Sequence, residues 1–234
     1  MICISPKMRK QLLFLVFNIG LTLTVFSQGS SQGIIEPKHS FTLELGLPNS
    51  FTNKAFKQVM QGLVHASPYY QYAFKNGFAL GVGGRYSYFA INEFRVPSKV
   101  YGGFHSYGGF VKIGHEKFYS SIFAMDFGLK MGFCQNMFYS DLLRSKEIDH
   151  VFKPNFYLEP NLGLILASSE ADTYRLSIGY SFLGSSFKPS DIGYDSNETI
   201  GYSDKDLKAM SSFLSIGFGY THHFNGKTSI GFDE

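Results

Sequence analysis

The sequence contains two cysteines, no tryptophan and little charge, and these shortages exclude several classes of protein. Cys3 lies in the predicted leader, ahead of its apolar region, so Cys134 is alone in the mature chain. An intramolecular disulfide and a cysteine metal cluster are therefore excluded. Charged residues make up only 17% of the chain, which is low for a soluble helical enzyme. Beyond the leader, the chain lacks the run of about 18 apolar residues that a spanning helix requires.

The N-terminal segment has the organisation of a secretory signal peptide. Lys7, Arg9 and Lys10 form a basic start, and residues 12–26 are mostly apolar. A small-residue site then predicts cleavage after Ser27. The alternative is an uncleaved anchor helix, which needs about 20 apolar residues and is disfavoured by this shorter stretch.

Removal of residues 1–27 also removes the apparent basicity of the chain. Three of the 21 Lys and Arg residues lie in the leader, which leaves 18 against 18 Asp and Glu. The mature net charge is thus near zero, and no basic footprint for nucleic acid remains.

What the sequence has in abundance is two-residue alternation. In Tyr119–Phe133, the odd positions are mostly large and apolar, while the even positions are mostly small, with one acid and one base. This stretch is long for a soluble strand, which usually has about 5–6 residues, but suits a tilted membrane strand.

Eight segments show this alternation: Ser40–Leu47, Ser67–Lys75, Phe78–Ile91, Ser106–Gly114, Tyr119–Phe133, Asn155–Leu166, Tyr174–Leu183 and Phe213–Phe224. Short and long connections alternate between them, and the Asn76-Gly77 pair marks one tight hairpin. The sequence predicts an all-β fold, an eight-stranded antiparallel up-and-down transmembrane barrel over residues 40–224. Short turns and residues 28–39 and 225–234 would lie in the periplasm, with long loops outside. Pro160 predicts a local bulge in the sixth strand.

A soluble eight-stranded barrel has the same period with the apolar face inside, so the composition of the polar face decides between the two. That face is mainly Gly, Ser and Ala, which suits a narrow interior better than a surface in water. The predicted inward charges are Glu44, Arg85, Lys112, Asp126, Lys130, Glu159 and Arg175. We expect them to pair with one another as a structural polar network. A selectivity lining or a proton path is the second interpretation.

On these alternating segments, from Ser40 to Phe224, the chain resembles the OmpA/OmpX-like eight-stranded outer-membrane barrels, and in particular small Bacteroidota-type β-barrel proteins. The resemblance implies an environment of outer-membrane lipids and insertion by the barrel-assembly machinery. It also implies a last strand that ends in an aromatic residue. Tyr220, His222 and Phe224 alternate suitably, although residues 225–234 continue beyond them.

Two stretches are candidates for chemistry. His65-Ala66-Ser67 could serve nucleophilic catalysis, but the parity of its strand turns Ser67 inward, away from a lipid substrate. His222 and His223 are neighbours on a strand and face opposite sides, so they cannot chelate one metal ion together.

Two loops are also distinctive. The last loop contains the acidic residues Asp191, Asp195, Glu198, Asp204 and Asp206 without the spacing of a known calcium loop, and we expect it to be solvated. In the first loop, apolar residues recur at helical spacing after Asn53 and predict a short amphipathic helix over residues 53–63. It would pack over the rim or at the lipid interface.

No catalytic, cofactor or metal signature is present. The first hypothesis is a non-enzymatic integral outer-membrane protein whose loops act in surface interaction or envelope integrity, with an extracellular partner that the sequence does not identify. The second is a small pore or transport component, and the third is a lipid A-modifying enzyme.

Overall fold

The computed structural model describes residues 38–96, 100–120, 122–169, 171–194 and 202–224. The signal peptide and the C-terminal tail lie outside the described residues. Eight strands close into a barrel in which each strand pairs antiparallel with its sequence neighbours, and β1 pairs with β8. They are β1 Lys38–Ser50, β2 Met60–Ala73, β3 Phe78–Ile91, β4 Gly102–Phe118, β5 Phe123–Ser140, β6 Val151–Ala167, β7 Asp172–Leu183 and β8 Ser212–Phe224. The predicted all-β up-and-down barrel is confirmed.

The predicted alternation of short and long connections is also confirmed. Residues 74–77, 119–122 and 168–171 form the short turns at one end, here called the turn end. The longer connections lie at the loop end, and their described residues are 51–59, 92–96, 100–101, 141–150, 184–194 and 202–211. In the first turn, Gly77 has a φ of 83°, a conformation that glycine adopts without steric cost.

The strands are longer than predicted at the loop end. β5 continues to Ser140 and β6 begins at Val151, so much of the predicted loop between them is paired sheet. β2 begins at Met60, because residues 60–62 pair with the upper part of β3. At the turn end, β1 begins at Lys38, two residues inside the segment predicted to precede the barrel.

Pro160 lies in continuous register with Leu129 of β5, so the predicted bulge is wrong. The carbonyl of Phe156 accepts a hydrogen bond from Gly184, which shows that even-numbered residues of β6 direct their backbone groups toward β7. The N–H that Pro160 lacks would therefore face β7, and the side of Pro160 that faces β5 loses no hydrogen-bond donor. A register shift occurs instead between Gly62 and Val64 of β2.

The described residues of the loop-end connections contain three helices and one 3₁₀ helix: α1 Lys54–Val59, α2 Asp141–Ser145, the 3₁₀ helix Pro189–Ile192 and α3 Asp204–Lys208. None of these described helices is long and apolar enough to cross a membrane. The predicted helix over residues 53–63 is confirmed only in its first half, because Met60 onward belongs to β2.

The register determines the tilt of the strands. Following paired residues from strand to strand once around the barrel, a path that starts at Lys38 of β1 returns to β1 at Pro48, a shift of ten residues. The path passes through Ala73, Ala79, Gly114, Gly128, Asn161, Gly179 and Ser215. At about 3.3 Å per residue and about 4.8 Å between strands, this shift over eight strands requires a tilt of about 40°.

Candidate functional site

The interior of the barrel contains a chain of ion pairs. The seven charged residues that the sequence places inward are all buried there: Glu44, Arg85, Lys112, Asp126, Lys130, Glu159 and Arg175. Their contacts alternate in sign: Arg85–Glu159 3.7 Å, Glu159–Lys130 3.4 Å, Lys130–Glu44 2.6 Å, Glu44–Arg175 3.3 Å, Arg175–Asp126 2.9 Å and Asp126–Lys112 2.5 Å. Each charge thus has an opposite charge beside it, which offsets the cost of removing it from water.

An eighth charged residue, Glu116, belongs to this network and was not predicted. It lies 3.8 Å from Arg175 and accepts a hydrogen bond from the Gln71 amide at 3.2 Å. The predicted fourth strand ends at Gly114, which left Glu116 in a connection, whereas β4 continues to Phe118. Glu116 has the same parity as Lys112, and that parity is the signal that could have found it. With Glu116 included, the network contains four acids and four bases.

Tyr69 links the two halves of the network. Its hydroxyl donates to Glu44 at 3.2 Å and accepts from Lys112 at 3.3 Å and from the Arg175 guanidinium. Its ring also lies 5.2 Å from the Lys130 ammonium. One aromatic side chain therefore contacts four of the eight charged groups, which keeps their relative positions fixed.

Arg85 marks the upper boundary of the polar interior. Its guanidinium carbon lies 4.2 Å from the centroid of the Tyr157 ring and 5.2 Å from that of Phe213. A guanidinium stacks well on aromatic faces, so Arg85 can join the charged layer to an apolar one.

Above Arg85, an apolar cluster that includes Phe56, Phe89, Phe104 and Phe187 fills the loop end of the barrel. This cluster is here called the cap. Phe56 of α1 is fully buried, with its ring centroid 5.0 Å from Phe89, 5.8 Å from Phe104 and 5.7 Å from Phe187. Asn53 caps the N-terminus of α1, and its side chain accepts a hydrogen bond from the Phe56 N–H at 2.8 Å. The first and last loop-end connections thus pack against each other inside the barrel.

Polar contacts hold the cap in place. The Asn53 side chain donates to the carbonyls of Ala209 at 2.8 Å and Phe187 at 3.3 Å. Lys153 of β6 pairs with Asp191 at 2.6 Å. In this way both the first and the last loop-end connections are attached to neighbouring elements.

The acidic residues of the last loop do not form a common site in the described part of the chain. Asp191 pairs with Lys153, and Asp206 accepts hydrogen bonds from Ser203, which lower the pKa of this carboxyl. Asp204 is exposed, while Asp195 and Glu198 lie outside the described residues. The residues that the structure describes contain no group of three or more His, Cys, Asp or Glu side chains that could hold a metal ion.

The His65-Ala66-Ser67 stretch forms no catalytic pair. Both side chains are buried in the interior. The Nδ1 atom of His65 bonds to the Ser87 hydroxyl at 2.8 Å, and the Ser67 hydroxyl accepts from Lys130 at 3.1 Å. Ser67 therefore points inward, as its parity predicts.

A matched pair of glycine substitutions tests how tightly the network is packed. A Cβ on Gly219 would lie 2.6 Å from Cγ of Arg175, whereas a Cβ on Gly163 would have no neighbour nearer than 3.5 Å. We expect Gly219→Ala to cost about 1–3 kcal/mol through overpacking. Gly163→Ala should be neutral or slightly stabilising, since the unfolded chain loses entropy. Urea unfolding followed by circular dichroism measures both, and equal costs would contradict the packing.

The outer face of the barrel is apolar. Two rows of polar residues border it. The turn-end row contains His39, His115, Lys117, Asp172 and His222, and the loop-end row lies at the level of His105. Between the two rows, no described outward-facing strand residue is charged. Ten residues separate His105 from His115 on β4. At about 3.3 Å per residue and a tilt of about 40°, the two rows lie about 25 Å apart along the barrel axis.

No protein-family model and no curated protein sequence matches the chain. Solved structures do match it. The attachment invasion locus protein Ail of Yersinia pestis is 13% identical, with a TM-score of 0.48 over 81% of this chain and 100% of its own. Neisserial surface protein A is 10% identical, with a TM-score of 0.49 over 80% and 97%. The outer membrane protein OprG from Pseudomonas aeruginosa is 8% identical, with a TM-score of 0.40 over 82% and 98%.

These solved structures are eight-stranded outer-membrane barrels, the class that the sequence resembles. The Bacteroidota type of this chain stays a prediction. No function is transferred at these identities and TM-scores. The architecture of this chain follows from its own strand register: a closed eight-stranded antiparallel barrel with an apolar exterior and an ion-paired interior.

Proposed function

We propose that the chain is an integral outer-membrane protein without enzymatic activity, sealed to ions, whose loop end acts at the cell surface in binding or in envelope integrity. The observation that carries this proposal is the sorting of charge. All eight charged residues of the network lie inside, while the outer band between the two polar rows has none among the described residues.

The dimensions of the outer band support a membrane location. Transmembrane barrels have an apolar band about 25 Å tall that is bordered by aromatic residues, and this band has that height. Tyrosine and histidine occur together at both borders. At the loop end, His105 stacks between Tyr88 and Tyr139, with ring centroids at 4.7 and 5.5 Å. At the turn end, His39 lies 4.7 Å from Tyr72.

A soluble barrel would require the opposite arrangement. Phe127, Phe133 and Phe218 are 52%, 74% and 75% exposed, so water would contact three large aromatic faces. Soluble proteins rarely expose such large continuous apolar surfaces. Lipid tails would cover them without cost, and outer-membrane lipids are therefore the expected surroundings.

The orientation follows from the connections. Short turns face the periplasm in barrels of this type and long connections face outward, so the loop end would lie at the cell surface. This orientation agrees with export by a cleaved signal peptide and insertion by the barrel-assembly machinery, both of which stay predictions. The exposed residues of the loop-end connections, including those of α2, would then form the surface that a partner meets.

Cysteine labelling in whole cells tests this proposal. In a Cys134→Ser background, a water-soluble maleimide should label Asp149→Cys in intact cells, because Asp149 is exposed at the loop end. Asn76→Cys, at a short turn, should react only after the outer membrane is permeabilised. Val111→Cys, within the outer band, should react only after denaturation. Labelling of Val111→Cys in the folded protein, or recovery of the protein in the soluble fraction, would refute the proposal.

The pore alternative has less support from the interior. The ion-pair chain fills the middle of the barrel, and the cap fills the loop end with buried rings such as Phe56, Phe89 and Phe104. Eight strands leave an interior just wide enough for side chains. Discrete conductance steps of the refolded protein in a planar bilayer would favour the pore, and their absence would favour the sealed barrel.

The enzyme alternative also has less support from the described residues, since neither His65 nor Ser67 faces the lipid. A deletion strain provides the check. Lipid A from that strain should be identical to that of its parent, while envelope integrity or surface binding should change. A missing lipid A modification that the restored gene returns would favour the enzyme.

A further inference from the structure

The polar interior contains a cavity that the ion-pair chain leaves unfilled. It lies between β1, β2, β6, β7 and β8 and is lined by Glu44, His65, Glu159, Asn161 and Ser215, among others. Its volume is about 10 Å³ for the centre of a water-sized sphere. A buried water needs about 10–15 Å³ by this measure, so the cavity has room for one water molecule.

One side chain in its wall is without hydrogen bonds. Asn161 is 8% exposed, and neither its Nδ2 nor its Oδ1 atom has a hydrogen-bond partner in the described part of the chain. A buried amide left in this state destabilises the fold, because its polar atoms have lost their hydrogen bonds to water without replacing them. Gln71 contrasts with it, since its amide donates to Glu116 and accepts from Lys112.

We propose that this cavity binds one ordered water molecule, held by the Asn161 amide. The wall supplies complementary groups, because the carboxylates of Glu44 and Glu159 and the hydroxyl of Ser215 can accept hydrogen bonds from the water. A buried water typically makes about three hydrogen bonds, which these groups and Asn161 can provide.

Charge balance selects water over an ion. Glu44 and Glu159 line the cavity, but both already contact Lys130, at 2.6 and 3.4 Å. With four acids and four bases in the network, an added cation or anion would leave a net charge in a poorly hydrated interior. Water is neutral and both donates and accepts hydrogen bonds, so it adds no net charge to the interior.

The test is a crystal structure of the full mature protein at about 1.8 Å or better, from crystals soaked in rubidium bromide. If the cavity holds water, a density peak should lie about 2.7–3.2 Å from the Asn161 amide and should show no anomalous signal from rubidium or bromide. An empty cavity, or a peak with anomalous signal, would overturn the proposal.

A measurement in solution is independent of crystals. In detergent micelles, the side-chain amide protons of Asn161 should show a direct cross-relaxation peak to a long-lived water, and those of Gln71 should not. Asn161→Leu has a similar volume but no amide, and the density peak should fall to the noise level in that variant. If Asn161→Leu does not fold, the wild-type comparison of Asn161 with Gln71 still decides. Equal water peaks at both amides, or none at Asn161, would refute the site.

Discussion

Replacing Arg175 with methionine is expected to destabilise the barrel by about 3–5 kcal/mol, the largest effect that we predict for a single substitution. The Arg175 guanidinium lies 2.9 Å from Asp126, 3.3 Å from Glu44 and 3.8 Å from Glu116. Methionine retains much of the volume but leaves these buried carboxylates with less positive charge. Urea unfolding of the refolded protein measures the change, with circular dichroism as the signal because the chain has no tryptophan.

Arg144→Met is the matched control. The Arg144 side chain is 76% exposed, and it lies 3.8 Å from Asp141. An exposed pair of this kind contributes about 0–1 kcal/mol. The double variant Arg175→Met with Asp126→Asn should recover part of the loss, since one unpaired carboxylate is removed. A cost below about 1 kcal/mol for Arg175→Met would show that the ion-pair chain does not stabilise the fold.

The second large effect concerns the outer band. Val111 is 49% exposed and lies within the band between His105 and His115 of β4. We expect Val111→Lys to cost about 2–4 kcal/mol in lipid vesicles, because its charge would lie near the middle of the bilayer. On a soluble protein, the same exposed substitution would change stability by about 0.5 kcal/mol or less.

Tyr119→Lys provides the control for Val111→Lys. Tyr119 is similarly exposed, at 48%, but it belongs to a short turn. A lysine near the membrane interface costs about 0–1 kcal/mol. Urea unfolding from vesicles measures both variants. Equal costs at the two positions would contradict a lipid-facing band and, with it, the proposed membrane location.

Much of the barrel could be predicted because the period of two is repeated in every strand. The bounds of β3, Phe78–Ile91, were predicted without error, and its Asn76-Gly77 turn marks the start. Parity alone placed Lys112, Asp126 and Arg175 on the inner face. The alternation works because successive side chains of a strand point to opposite sides.

The loop end could not be predicted in the same way. Residues 135–140 and 151–154 contain few alternating apolar residues. Residues 135–138 are strand because they pair with residues 151–154, and residues 139–140 because they pair with β4. α1 ends at Val59 because Met60 can pair with Ile91 of β3. Helical spacing continues through this boundary, so the local pattern gave no sign of it. Glu116 was missed for a related reason, since its charged neighbours are typical of a turn.

The number of strands, their alternation and, apart from Glu116, the charges that turn inward could all be derived from the amino-acid sequence alone. Those features are local, since each depends on residues two positions apart. Only the tertiary structure decided the order of the ion pairs, the strand ends and the packing of Phe56 and Phe187 into one cap. These depend on the ten-residue shift of the register around the barrel, which sets residues distant in the chain at the same height. Closure of the sheet fixes that shift, and no single segment encodes it.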